Sequence, residues 1–158
     1  MSNTQFRFAT KEDTSLILQF IKELAEYENM SSDVVADEKT LSTWIFDEKK
    51  AEVLFALEDG IEVGFALFFH NFSTFLGRAG IYLEDLFVKP EYRKRGHGKA
   101  LIKEVARIAT SRGCGRLELS CLDWNSPSID FYLSLGATKM DDWTVYRFTG
   151  KSLEDLSK

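Results

Sequence analysis

The amino-acid sequence predicts one α/β domain over residues 1–158: a mixed β-sheet, mostly antiparallel with one parallel pair, flanked by helices. Three observations predict it. Asp59-Gly60 separates residues 53–57 from 61–65, two short runs rich in aromatic and branched side chains, which is a two-residue hairpin signal. Residues 81–88 and 116–122 read as strands joined by an amphipathic helix, and such a crossover makes a right-handed parallel pair. At 158 residues and 44% hydrophobic content, the chain fills one core and has little room for a second.

Gln5–Phe8 alternates as a short strand, and Thr10 with Asp13 reads as a capping box. Ile17, Phe20, Ile21 and Leu24 keep helical spacing through about Glu28. A second, shorter helix covers 37–45 with Leu41 and Trp44 inward, and the hairpin strands follow. Residues 71–80 read as a loop, and Lys89-Pro90-Glu91 stops the strand at 81–88. Leu101, Ile102, Val105, Ile108 and Ala109 mark one face of a helix that begins near Gly98 and is closed by Gly113. After the strand at 116–122, Asn125 caps a short helix with Pro127 in its first turn, running through Ile129, Phe131 and Tyr132 to Gly136. A last strand is expected at 144–148. There is no repeat, low-complexity segment or internal linker.

Composition excludes several function classes. A net charge of -5 argues against a general nucleic-acid phosphate binder. The longest clean apolar run, 64–69, is far below the ~20 residues that span a bilayer, and the polar N-terminus has no signal-peptide core. A cytoplasmic protein with no membrane partner is expected. His70 and His97 are the only histidines, and Cys114 and Cys121 are poorly spaced, so neither a metal site nor a Ser-His-Asp triad is expected. Chemistry then falls to carboxylates, tyrosine and backbone.

The most informative segment is Arg93-Lys94-Arg95-Gly96-His97-Gly98-Lys99-Ala100, between strand and helix. A glycine-interrupted helix start aims unbonded N–H groups and the positive dipole end at one point, which suits an anion, most plausibly a phosphate. Arg93, Lys94, Arg95 and Lys99 add charge around the rim, while His97 is expected to be an exposed side chain whose backbone N–H binds. A Walker loop requires Gly where Arg93 stands and Ser or Thr where Ala100 stands; a dinucleotide fingerprint requires a third Gly where Leu101 stands.

What remains, Arg-x-x-Gly-x-Gly opening a helix, resembles the pyrophosphate turn of the GNAT superfamily of N-acetyltransferases. The resemblance extends over almost the whole chain and is best to the diamine branch, the spermidine/spermine and thialysine acetyltransferases. Its blocks here are Ile21-Lys22-Glu23-Leu24-Ala25-Glu26-Tyr27-Glu28, Tyr82-Leu83-Glu84-Asp85-Leu86-Phe87-Val88, Tyr92 to Gly98, and Trp124-Asn125-Ser126-Pro127-Ser128-Ile129-Asp130-Phe131-Tyr132. It implies acetyl-CoA as co-substrate. The backbone of Leu86, Phe87 and Val88 would meet the pantetheine arm, Lys94, Arg95, Gly96, His97, Gly98 and Lys99 the pyrophosphate, and Asn125, Ser126, Pro127 and Ser128 the coenzyme from another side. It also implies Tyr132 as proton donor to the coenzyme sulfur, Glu84 as ammonium binder and base, Tyr27 and Glu28 as amine-pocket residues, and a homodimer with the C-terminal strand as an interface element.

Glu84 and Asp85 are adjacent acids in an apolar strand, whose side chains alternate between faces unless a bulge intervenes. Asp85 is expected to be structural or interfacial, and Glu23 and Glu26 a solvated acidic face. Asp141 and Asp142 are weaker candidates for the amine site. Polyamine enzymes carry an acidic, Trp-containing loop where this chain has Asn71-Phe72-Ser73-Thr74-Phe75-Leu76-Gly77-Arg78, so a short amine or an amino acid such as thialysine becomes competitive. His70 in this stretch is read as a strand-end residue. The resulting expectation is an N-acetyltransferase acting on a small primary amine by direct transfer in a ternary complex. Its rivals are a protein-modifying acetyltransferase and a non-catalytic acyl-CoA-binding module.

Overall fold

The computed structural model describes residues 3–158. Two compact units form, one ending at Ser120 and one spanning Cys121–Lys158. The first is a five-stranded sheet in the order β1-β2-β3-β4-β5: β1 (Gln5–Phe8), β2 (Glu52–Glu58), β3 (Ile61–Ser73), β4 (Arg78–Val88) and β5 (Leu117–Leu119). β1 to β4 pair antiparallel and β5 runs parallel to β4. The fold is therefore the mixed α/β sheet expected.

Local chemistry explains the elements. Asp59 and Gly60 take φ of 50° and 80°, the left-handed pair that a two-residue hairpin requires. Asp13 accepts from the Thr10 N–H at 2.8 Å, closing the capping box, and Arg7 grips the same carboxylate at 2.8 Å and Glu62 at 2.7 Å. Helix α1 (Thr14–Tyr27) follows. Residues 53–56 of β2 and 63–66 of β3 are buried without alternation, so both sheet faces are covered. On one face α1 sets Ile17, Phe20 and Leu24 against Val53, Phe55, Phe65 and Phe87. Phe20 is wholly buried and stacks on Phe65 with 5.2 Å between centroids; its loss to alanine costs about 3–5 kcal/mol. Helix α3 (His97–Ser111) packs on β3 and β4 through its own apolar stripe.

Four expectations need correction. Residues 71–80 are not a loop: β3 and β4 continue as a ladder to Ser73 and Arg78, leaving only 74–77 as a turn. Backbone pairing tolerates the polar Asn71, whose amide donates to Glu118 at 3.0 Å. The second helix is short, α2 (Glu38–Leu41), and widens into a π-turn at Ser42–Asp47 that leaves Trp44 exposed rather than inward. β5 covers three residues of the expected seven. No strand forms at 144–148: a strand exists only through a paired neighbour, and among the described residues nothing pairs with this segment. The second unit instead carries α4 (Ser126–Ser134) and a short α5 (Gly150–Leu156). No described helix is long and apolar enough to cross a membrane.

Candidate active site

The anion turn forms because the chain reverses twice after β4. Lys94 and Gly96 take φ of 65° and 88°, left-handed conformations that cost a non-glycine residue such as Lys94 about 1 kcal/mol or more. α3 then starts at His97, and the first intrahelical bond at this end is Ala100 N–H to Gly96 O at 3.0 Å. Helix geometry leaves the N–H groups of His97, Gly98 and Lys99 without an intrahelical acceptor. A Cβ on Gly98 would meet nothing nearer than Val88 Cγ2 at 3.9 Å, so the space before the turn is open. Lys94, Arg95, Gly96 and Lys99 line a cavity of about 920 Å³ together with Lys103 and Arg107.

The basic rim divides in two. Arg93 turns back, donating to Val88 O at 2.9 Å and lying over the rings of Tyr27 (4.8 Å) and Phe87 (5.3 Å). Arg95 pairs with Glu58 at 2.6 Å and covers Tyr92. Lys94 and Lys99, which pair with no carboxylate of the described residues, carry the rim's charge toward the cavity. His97 is not exposed: the residue is 2% accessible and its side chain bonds Glu58 and Thr4. Spacing four residues before Leu101 and eight before Val105 puts it on the helix's core face, a signal present in the sequence.

Upstream, β4 has an open edge. β5 pairs only with Ile81, Tyr82 and Leu83, so from Glu84 to Val88 β4 has a neighbouring strand on its β3 side alone among the described residues, and Val88 O is taken by the Arg93 side chain. Leu86, Phe87 and Val88 therefore offer main-chain groups to an extended ligand. Opposite, the ladder slips between Leu67 and Phe68: Leu67 faces Asp85 and Phe68 faces Leu83, which makes Glu84 the extra residue of a bulge. That bulge brings Glu84 and Asp85 into one electrostatic neighbourhood with Glu28 at the end of α1. Burial, then Glu84 and Glu28, push the Asp85 carboxyl up to about 7; burial and Glu84 raise Glu28. Asp85 thus lies within electrostatic reach of both Glu84 and Glu28. Glu26 is exposed as expected, whereas Glu23 is half-buried with one carboxylate oxygen lacking a partner among the described residues.

In the second unit, the buried Asn125 caps α4, its side chain accepting from the Ser128 N–H at 3.4 Å, with Ser126 and Pro127 in the first turn. Tyr132, two turns on, is half-buried beside Phe131 at 5.2 Å. Asp141 pairs with Lys139 at 3.6 Å, and it and Asp142 are exposed. His70, on β3, contacts Gly80 O, Arg112 and Cys114.

The open strand edge, the unbonded helix N-terminus and the glycine clearance fit an elongated ligand whose extended, amide-bearing arm leads to a pyrophosphate, as in coenzyme A. Residues 18–137 match the acetyltransferase (GNAT) family. Thialysine N-epsilon-acetyltransferase of Bos taurus is 40% identical, the match covering 99% of each chain. An L-ornithine N5-acetyltransferase of Arabidopsis thaliana is 29% identical, covering 98% of this chain and 88% of that one. Among solved structures, an integron cassette protein from the mobile metagenome of V. cholerae superposes with a TM-score of 0.82 at 30% identity, covering 100% and 99% of the two chains. On this evidence the chain belongs to the acetyltransferase (GNAT) family and is an N-acetyltransferase of its diamine and thialysine branch.

Proposed function

We propose that the protein moves an acetyl group from acetyl-CoA to a primary amine of a small cationic substrate, a diamine, polyamine or thialysine-like amino acid, in the cytoplasm and by direct transfer in a ternary complex. The observation that carries the substrate class is the group formed by Glu28, Glu84 and Asp85. The Glu84 charge raises the proton affinity of Glu28 and of Asp85, the Glu28 charge adds to that of Asp85, and none of the three is ion-paired among the described residues. A bound ammonium relieves that repulsion. The thialysine and ornithine specificities of the relatives support a short substrate, as does the lack of acids in Asn71 to Arg78.

Acetyl-CoA supplies the acetyl group as an activated thioester. The N–H groups of His97, Gly98 and Lys99 and the ammonium groups of Lys94 and Lys99 hold the pyrophosphate. Leu86, Phe87 and Val88 bond the amide-bearing arm as a neighbouring strand would, and Asn125, Ser126, Pro127 and Ser128 complete coenzyme binding. Tyr27 and Glu28 hold the cationic substrate. Glu84 accepts the ammonium proton, directly or through water, and the Tyr132 hydroxyl donates a proton to the departing sulfur. The protein acts as a homodimer, with residues 144–148 as an interface element; the exposed Val145, Tyr146 and Phe148 support this.

Glu84→Gln is expected to lower kcat/KM for the amine by about 10²-fold while coenzyme binding is kept, and Tyr132→Phe to lower kcat by a similar factor without raising the amine KM. Wild-type amine kinetics in the first variant would remove the carboxylate's role. Full turnover in the second would remove the acid.

A further inference from the structure

His97 is the one polar side chain on the buried face of α3, among Leu101, Ile102, Val105, Ile108 and Ala109. It sits between the two glycines of the anion turn. Its Nε2 lies 2.9 Å from Glu58 Oε1 and its Nδ1 2.7 Å from Thr4 Oγ1, while the other Glu58 oxygen takes Arg95 at 2.6 Å. One carboxylate therefore clasps residues on both sides of Gly96. An ionised carboxylate only accepts, so Nε2 carries a proton toward Glu58. The His97 hydrogen bond, with Arg95 assisting, holds the Glu58 carboxyl below its usual range. Glu58 itself is the last residue of β2, immediately before the Asp59-Gly60 turn, so the clasp ties the anion turn to a rigid hairpin.

We propose that His97 and Glu58 are a positioning pair for the acetyl donor, holding residues 95–97 so that the first-turn N–H groups converge on its pyrophosphate. The inference rests on the coenzyme reading above. Gly96 is the most conformationally free residue of the turn and adopts φ of 88°. It is flanked by the two residues that Glu58 holds. Arg95 serves the same end: its guanidinium is committed to Glu58, so it positions the turn and leaves phosphate contact to Lys94, Lys99 and the backbone. A leucine at position 97 would fill the same core space and sever the link.

The test is calorimetric binding of coenzyme A, with steady-state kinetics and Tm, on His97→Leu, His97→Gln and Glu58→Ala. His97→Leu is expected to raise the coenzyme Kd and the acetyl-CoA KM about tenfold, with kcat and the amine KM within twofold. His97→Gln, whose amide nitrogen reaches the place of Nε2, is expected to recover most of the affinity, and Glu58→Ala, which frees Arg95 as well, to cost at least as much as His97→Leu, the double variant losing less than the sum of the two. Unchanged affinity in folded His97→Leu overturns the proposal, as does a loss that His97→Gln fails to recover. If His97→Leu does not fold, Glu58→Ala decides in its place: a tenfold rise in Kd supports the pair, and wild-type affinity overturns it. A wild-type protein that binds no coenzyme A overturns both this inference and the coenzyme reading; binding that is equal in wild type and variants overturns only the pair.

Discussion

Asp85→Asn should make the protein more stable in a way that depends on pH. In the folded chain the Asp85 carboxyl is pushed from its ordinary 3.8 to about 7, first by burial and then by Glu84 and Glu28. Between roughly pH 4 and pH 7 the unfolded chain therefore binds fewer protons than the folded one, so stability falls as pH rises across that window and is level on either side. The full shift is worth about 4 kcal/mol. Asp85 is only half-buried and water relaxes around it, so about 2 kcal/mol is the realistic cost of its charge at pH 8. Asparagine keeps the shape and removes the charge. In urea denaturation, where m is about 1–3 kcal/mol/M, the variant's midpoint should lie about 1 M above wild type at pH 8 and close to it at pH 4. No stabilisation at pH 8, or an equal difference at both pH values, would refute the claim that three carboxylates crowd this site. The cost has a function in this account, because the same uncompensated charge attracts a cationic amine.

Asp13 titrates in the opposite direction: Arg7 holds its carboxyl down at about 2, so its contribution is present above the ordinary 3.8 and is lost as pH falls through 2. Asp13→Asn should cost about 1 kcal/mol at pH 6, allowing for the partly solvated Arg7, and little at pH 2, measured by the same denaturation series. Gly98→Ala should leave Tm unchanged or slightly raised, because its Cβ meets no close atom and alanine favours helix. Standing where the anion approaches, that methyl group should weaken coenzyme A binding about tenfold by calorimetry; equal affinity would mean the turn binds elsewhere.

Much of the fold was legible because its signals are local. Asp59-Gly60, the Thr10/Asp13 box, the Asn125 cap and the stripe of α3 each depend on residues within a few positions of one another. What eluded the sequence depends on distant partners. The ladder beyond Phe69 and Gly80 holds because two backbones pair, whatever the polarity of Asn71 and Ser73. Residues 144–148 have the branched and aromatic composition of a strand, but composition does not supply a neighbour. In the candidate site, the conformation of the glycine turn was readable, as was the interest of Glu28 and Glu84, which the structure brings within electrostatic reach of one another, and the adjacent acids already made a bulge worth asking about. The bulge itself is a property of register between β3 and β4, so the influence of Glu28 on Asp85 became visible only with the pairing. His97 was misread because its partner Glu58 lies 39 residues away, although the helical spacing to Leu101 and Val105 marked it as buried.

Thiol release from acetyl-CoA, with putrescine, spermidine, thialysine, lysine and a basic peptide as acceptors, decides whether the protein acetylates small cationic amines. Turnover is predicted with the short cationic amines, thialysine foremost, and little with the peptide. Coenzyme A binding without thiol release for any acceptor, or turnover with the peptide alone, would contradict it.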